Sequence, residues 1–131
     1  MTMPIANDIL VVDDEGEIVK LIAEVLSDEG YTVRSAHDGP SALRAVSQIR
    51  PALVLLDYWM PGMTGAEVLQ QLRALGFADI PVVLMSAGTR ADMAQQSGAH
   101  AFLPKPFDIM ALLLCVEQFF LPGLTRAVAQ G

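Results

Sequence analysis

With 131 residues and an apolar fraction of 53%, the chain fits one domain that can bury a core without disulfides or structural metal. No apolar run approaches the roughly 20 residues of a membrane-spanning helix, which makes a membrane partner an unlooked-for one. A net charge of −7 without any cluster of Lys and Arg argues against a nucleic-acid surface, which is built from clustered cations. The start, Met1-Thr2-Met3-Pro4-Ile5-Ala6-Asn7-Asp8, lacks the basic and apolar regions of a secretory signal, so a cytoplasmic chain is expected. The single cysteine, Cys115, cannot form an internal bridge and is expected to be a small buried hydrophobe.

Taken in order, residues 1–7 read as an extension. Ile9-Leu10-Val11-Val12 is a compact apolar run ending on Asp13-Asp14-Glu15. From Glu15 the period becomes helical, with Ile18, Leu21, Ile22, Val25 and Leu26 on one stripe and Gly30 as the stop. Tyr31 to Ala36 reads as a second strand and His37-Asp38-Gly39-Pro40 as a turn. Ser41 to Ile49 follows with helical spacing through Ala42, Leu43, Ala45, Val46 and Ile49. Leu53-Val54-Leu55-Leu56 then forms a strand buried on both faces that stops at Asp57, followed by the Pro- and Gly-punctuated loop Tyr58 to Gly65. Ala66 to Leu75 is a third helix, carrying Val68, Leu69 and Leu72 and ended by Gly76. Pro81 to Met85 is a fourth strand, running into Ser86-Ala87-Gly88-Thr89. Arg90 to Ser97 reads as a short, polar, weakly patterned helix. Ala101 to Pro104 is the fifth strand, ending on Lys105-Pro106, and Phe107 to Leu121 is a final helix stopped by Pro122-Gly123. The tail, 122–131, carries little pattern.

Five strand–helix alternations with short connections imply an α/β fold, a parallel sheet covered by helices on both faces. In such a sheet every strand ends on the same edge, so Asp13, Asp14, Asp57, Ser86 and Lys105 converge although they are distant in sequence. An isolated Asp57 could equally cap a turn, but three converging carboxylates demand a counter-charge. Unit charges about 4 Å apart interact by roughly 4 kcal/mol at an effective dielectric near 20. Either a proton is retained or a cation binds, and an all-oxygen acidic pocket suits Mg²⁺. With a lysine and a hydroxyl beside it, the set describes a phosphoryl site with a carboxylate nucleophile.

The same residues carry a family resemblance over Asp8 to Leu121. The acidic pair Asp13-Asp14 follows the first strand, and Asp57-x-x-Met60-Pro61-x-Met63-x-Gly65 follows the third. Ser86-Ala87 follows the fourth and Lys105-Pro106-Phe107 the fifth. In this order and spacing the chain resembles the receiver domain of bacterial two-component response regulators, similar to the single-domain chemotaxis regulator. The resemblance implies a flavodoxin-like (βα)5 fold with strand order 2-1-3-4-5. It further implies that Asp57 is the phosphoacceptor, taking its phosphoryl group from a sensor histidine kinase or histidine phosphotransfer protein. Asp14, Asp57 and the backbone carbonyl of Trp59 would hold Mg²⁺, with Asp13 acting through water. Lys105 would pair with the phosphoryl oxygens, Ser86 would move to bond one of them, and Phe102 would turn inward as it does. In that family the Lys105-Pro106 peptide is cis. The readout surface is expected at the fourth helix, fifth strand and final helix, and the chain is read as a signalling module rather than a conventional enzyme.

Two other readings compete for the same residues. A haloacid-dehalogenase-type hydrolase shares the aspartyl nucleophile, Mg²⁺ and lysine, but places its nucleophile after the first strand in an Asp-x-Asp arrangement. A degenerate receiver used only for binding would have lost an acid, the acceptor or the lysine, and all stand here. Trp59, where smaller or polar residues are frequent in the family, reads either as a surface aromatic packed on nearby loops or as a cover that slows water attack. His37 and His100 lie in or near turns and read as structural. The final helix is apolar nearly all round, which points to a partner or homodimer surface, or to coverage by the tail.

Overall fold

A computed structural model describes residues 8–87 and 98–120. Along the chain run β1 (Asp8–Val12), α1 (Gly16–Asp28), β2 (Thr32–Ala36), α2 (Gly39–Gln48), β3 (Leu53–Asp57), α3 (Gly65–Ala74), β4 (Val82–Ser86), β5 (Ala101–Pro104) and α4 (Ile109–Phe120). The five strands form one parallel sheet in the order β2-β1-β3-β4-β5, the doubly wound arrangement expected from the sequence.

The central strands are continuous apolar runs because both of their faces are covered. Alternate residues feed two separate cores. Leu10, Val12, Val54, Leu56, Val82 and Leu84 pack with Ala42 and Val46 of α2 and with Val68, Leu69 and Leu72 of α3. Ile9, Val11, Leu53, Leu55, Val83, Met85 and Leu103 pack with Val19, Ile22 and Leu26 of α1 and with Leu112 and Val116 of α4. Truncating a fully buried member such as Leu55 (0% exposed) to Ala removes about 2–5 kcal/mol.

Helix ends are set by local chemistry. Asp38 accepts from Ser41 N–H at 2.8 Å, Asp108 accepts from Ala111 N–H at 2.7 Å, and Thr64 and Glu67 form a reciprocal capping box at the start of α3. At the other ends Gly30 and Gly76 take the left-handed conformation, φ 93° in both. The next amide then folds back: Tyr31 N–H reaches Leu26 O at 3.1 Å and Phe77 N–H reaches Leu72 O at 2.8 Å.

Several expectations shift. Gly39 and Pro40 belong to the first turn of α2 rather than to a turn before it, because proline lacks only an N–H that is unpaired there in any case. In α1 the buried stripe is Val19, Ile22 and Leu26, while Leu21 is 45% exposed. Ile49, expected on the apolar face of α2, lies beyond its last turn and is 59% exposed. The final helix starts at Ile109, since Asp108 serves as its cap. The helix expected over Arg90 to Ser97 and the tail 122–131 lie outside the described residues.

Candidate functional site

Side-chain parity explains why the acids and the lysine meet. In β1 and β3 the odd-numbered residues face the α1/α4 side, and Val12 pairs with Leu56, so Asp13 and Asp57 leave neighbouring strands together on that side. Asp57 pairs with Met85 and Met85 with Leu103. Lys105 continues that register two residues beyond Leu103, anchored by its own N–H to Ser86 O at 2.8 Å. The Lys105-Pro106 peptide is cis.

The result is a compact charged pocket. Asp13 is fully buried and Asp57 is 4% exposed, whereas Asp14 is exposed. Lys105 Nζ donates to Asp13 Oδ2 at 2.7 Å and to Asp57 Oδ1 at 3.3 Å, with Glu15 Oε1 at 3.9 Å. Asp13, Asp14 and Asp57 each offer a carboxylate oxygen within 4.8 Å of the others. This all-oxygen set of hard donors fits a divalent cation of the Mg²⁺ type.

Electrostatics make Asp57 unusual. Its carboxyl is pushed up to about 6, chiefly by burial and then by the charge of Asp13, with Lys105 opposing and Asp14 adding a little. Burial also disfavours the ammonium of Lys105. The hydrogen bond and charge of Asp13, followed by those of Asp57, outweigh it, and the lysine is held above its ordinary value.

The loop after Asp57 is tied at both ends. Tyr58 N–H donates to Met85 O and Gly65 N–H to Tyr58 O, each at 2.8 Å. A Cβ on Gly65 would lie 2.5 Å from the Asp57 carbonyl oxygen, so only glycine allows α3 to begin this close. Trp59 is 54% exposed and its ring meets that of the adjacent Tyr58 edge-on at 4.7 Å.

By alternation Ser86 and Phe102 belong to the α2/α3 side: Leu84 pairs with Phe102 and Ser86 with Pro104. Ser86 is 1% exposed, its Oγ donating to Ala87 O at 3.3 Å, and half-buried Phe102 packs on the α2/α3 core. Two neighbours of the pocket escaped the sequence reading. Glu15 N–H donates to Asp13 Oδ1 at 2.9 Å, and His37 Nδ1 lies 3.3 Å from Asp13 O. The signal for Glu15 was its place in the Asp13-Asp14-Glu15 run; for His37 it was its position just after β2, beside β1 in the sheet.

Comparison with known proteins agrees with this fold. The response regulator receiver domain model matches residues 9–117. The chain is 40% identical over 114 residues to sporulation initiation phosphotransferase F of Bacillus subtilis, covering 85% of this chain and 91% of that protein. It is 37% identical over 118 residues to the nitrogen assimilation regulatory protein NtrX of Azorhizobium caulinodans, covering 86% of this chain and 26% of that protein. It likewise spans 46% of the response regulator MprA of Mycobacterium ulcerans, so the chain spans less than half the length of these two relatives. Among solved structures, the receiver domain of NtrX from Brucella abortus superposes with a TM-score of 0.79 at 40% identity, over 86% of this chain and 97% of that one. The chemotaxis protein CheY4 of Vibrio cholerae gives 0.82 at 29% identity, over 88% and 99%. This chain belongs to the response regulator receiver domain family, the receiving module of bacterial two-component systems.

Proposed function

We propose that this receiver accepts a phosphoryl group on Asp57 from a phosphohistidine of a sensor histidine kinase or histidine phosphotransfer protein, in the cytoplasm. The observation that carries the reading is the buried Asp57 carboxylate, with Lys105 Nζ 3.3 Å away and two further carboxylates within 4.8 Å. In the transfer an Asp57 oxygen forms the new bond to phosphorus. The phosphorus–nitrogen bond of the donor breaks, and its electron pair returns to the imidazole.

Asp14, Asp57 and the Trp59 carbonyl would hold Mg²⁺ directly and Asp13 through water; the ion supplies charge neutralisation for the phosphoryl oxygens. Lys105 moves from its carboxylate partners to a phosphoryl oxygen, which offers a charge-assisted bond of the same kind. The new group adds roughly −1.5 to −2 charges, enough for the Ser86 hydroxyl to reorient toward it and for Phe102 to turn inward. Ser86 ends β4 and Phe102 lies on β5, so the switch carries the event from the pocket to that edge of the sheet. The readout is assigned to the segment 90–97, β5 and α4. On α4, Ile109, Met110 and Leu114 are 53%, 62% and 59% exposed, which supports docking of a partner or of a second copy there. In this reading the chain takes part in its own phosphotransfer and dephosphorylation without being a conventional enzyme, and it binds no nucleic acid directly.

Incubation with acetyl phosphate and Mg²⁺ tests the reading by intact mass. The wild type gains one phosphoryl group, while Asp57→Asn, or wild type with excess chelator, gains none. Equal labelling of Asp57→Asn overturns it.

A further inference from the structure

The ladder between β4 and β5 runs from Val83–Ala101 to Ser86–Pro104. One residue upstream it is extended by an unusual pair. His100 N–H donates to Val82 O at 2.9 Å, and Val82 N–H donates to His100 Nδ1 at 3.0 Å. Both main-chain polar groups of Val82, itself 1% exposed, are therefore satisfied by one residue, with a ring nitrogen standing where a strand would offer a carbonyl. A backbone N–H can only donate, so Nδ1 must accept and the ring proton must reside on Nε2. An imidazolium has donors at both nitrogens. Protonation would turn the 3.0 Å contact into donor against donor and leave the buried Val82 N–H without a partner, a costly state. His100 is exposed, so solvent protons reach it.

We propose that His100 is a proton-responsive clamp on the start of β5, locked while Nδ1 is bare and released when that nitrogen takes a proton. The strand it clamps carries Phe102 and delivers Lys105, so release loosens the element that presents both residues. The clamp does not depend on phosphoryl chemistry at Asp57. Among the described residues, the charged groups on the flanking segments are Arg73 of α3, whose Nη2 donates to Gly98 O at 2.6 Å, and the Arg50–Asp79 pair between the segments that lead into β3 and β4. None of them supplies the acceptor for Val82.

The test is a pH titration of the full chain by NMR from about 8 to about 5, the range in which imidazoles change charge. In wild type the Val82 amide resonance moves in one step together with the His100 ring signals. In His100→Asn, whose amide oxygen accepts without titrating, the step is absent. The step survives in Asp57→Asn, which separates it from titration in the pocket. A flat Val82 resonance, a step retained in His100→Asn, or one lost in Asp57→Asn overturns the proposal. Should His100→Asn fail to fold, the wild-type ring ¹⁵N shifts near pH 8 decide: a proton on Nε2 supports the clamp and a proton on Nδ1 overturns it.

Discussion

Asp57 is asked to carry a charge where burial resists it, and that tension is measurable. Its folded-state value of about 6 lies above the roughly 3.9 of an unfolded aspartate. Above about pH 6 the ionised carboxylate therefore costs the folded state free energy, and the cost fades as pH falls through 6 toward 4, because the folded state takes up the proton first. In metal-free buffer near pH 7.5, Asp57→Asn should raise the stability read by urea unfolding, on the order of 1–3 kcal/mol. The gain should shrink to nothing near pH 4. An unchanged or lower stability at pH 7.5 would show that Lys105 already compensates the charge in full.

At the scale of elements, the loop from Asp57 to α3 shows what local chemistry contributes. Thr64→Ala removes the capping box and should cost about 1 kcal/mol in thermal or urea unfolding. Gly65→Ala should cost more, because its Cβ meets the Asp57 carbonyl at 2.5 Å and main chain cannot step aside as a side chain could. Equal losses would mean that the loop is softer than its hydrogen bonds suggest. The Thr64-Gly65-Ala66-Glu67 pattern is itself a capping signature in the sequence. The three central strands were readable because four-residue apolar runs with polar ends admit few other placements. Helix positions were readable too, but not always the buried face: in α1 both Leu21 and Val19 are apolar, and only packing against the sheet selects Val19. The ends of α2 and α4 differ from the sequence expectation because Asp38, placed in a turn, and Asp108, placed inside the helix, both act as caps.

Across the whole molecule, the pocket follows from topology: parallel strands end on one edge, and residue parity then decides which side chains share a face. That much was legible once Asp13, Asp14, Asp57 and Lys105 were placed at strand ends. The short Lys105–Asp13 contact of 2.7 Å was not, because it depends on how far a lysine reaches back across the ends of β4 and β3. If the three carboxylates act as one cation site, Mg²⁺ should raise the thermal midpoint of the wild type by ligand linkage. The increase should be lost in Asp14→Ala; an equal increase in that variant would place the ion elsewhere. The central claim is that Asp57 itself bears the phosphoryl group. Its most direct test is to phosphorylate the chain with acetyl phosphate and Mg²⁺, reduce the acyl phosphate with borohydride, and map the product by tandem mass spectrometry. The account predicts homoserine at position 57 and nowhere else; homoserine at position 13 or 14, or none in a protein that has gained a phosphoryl group, would contradict it.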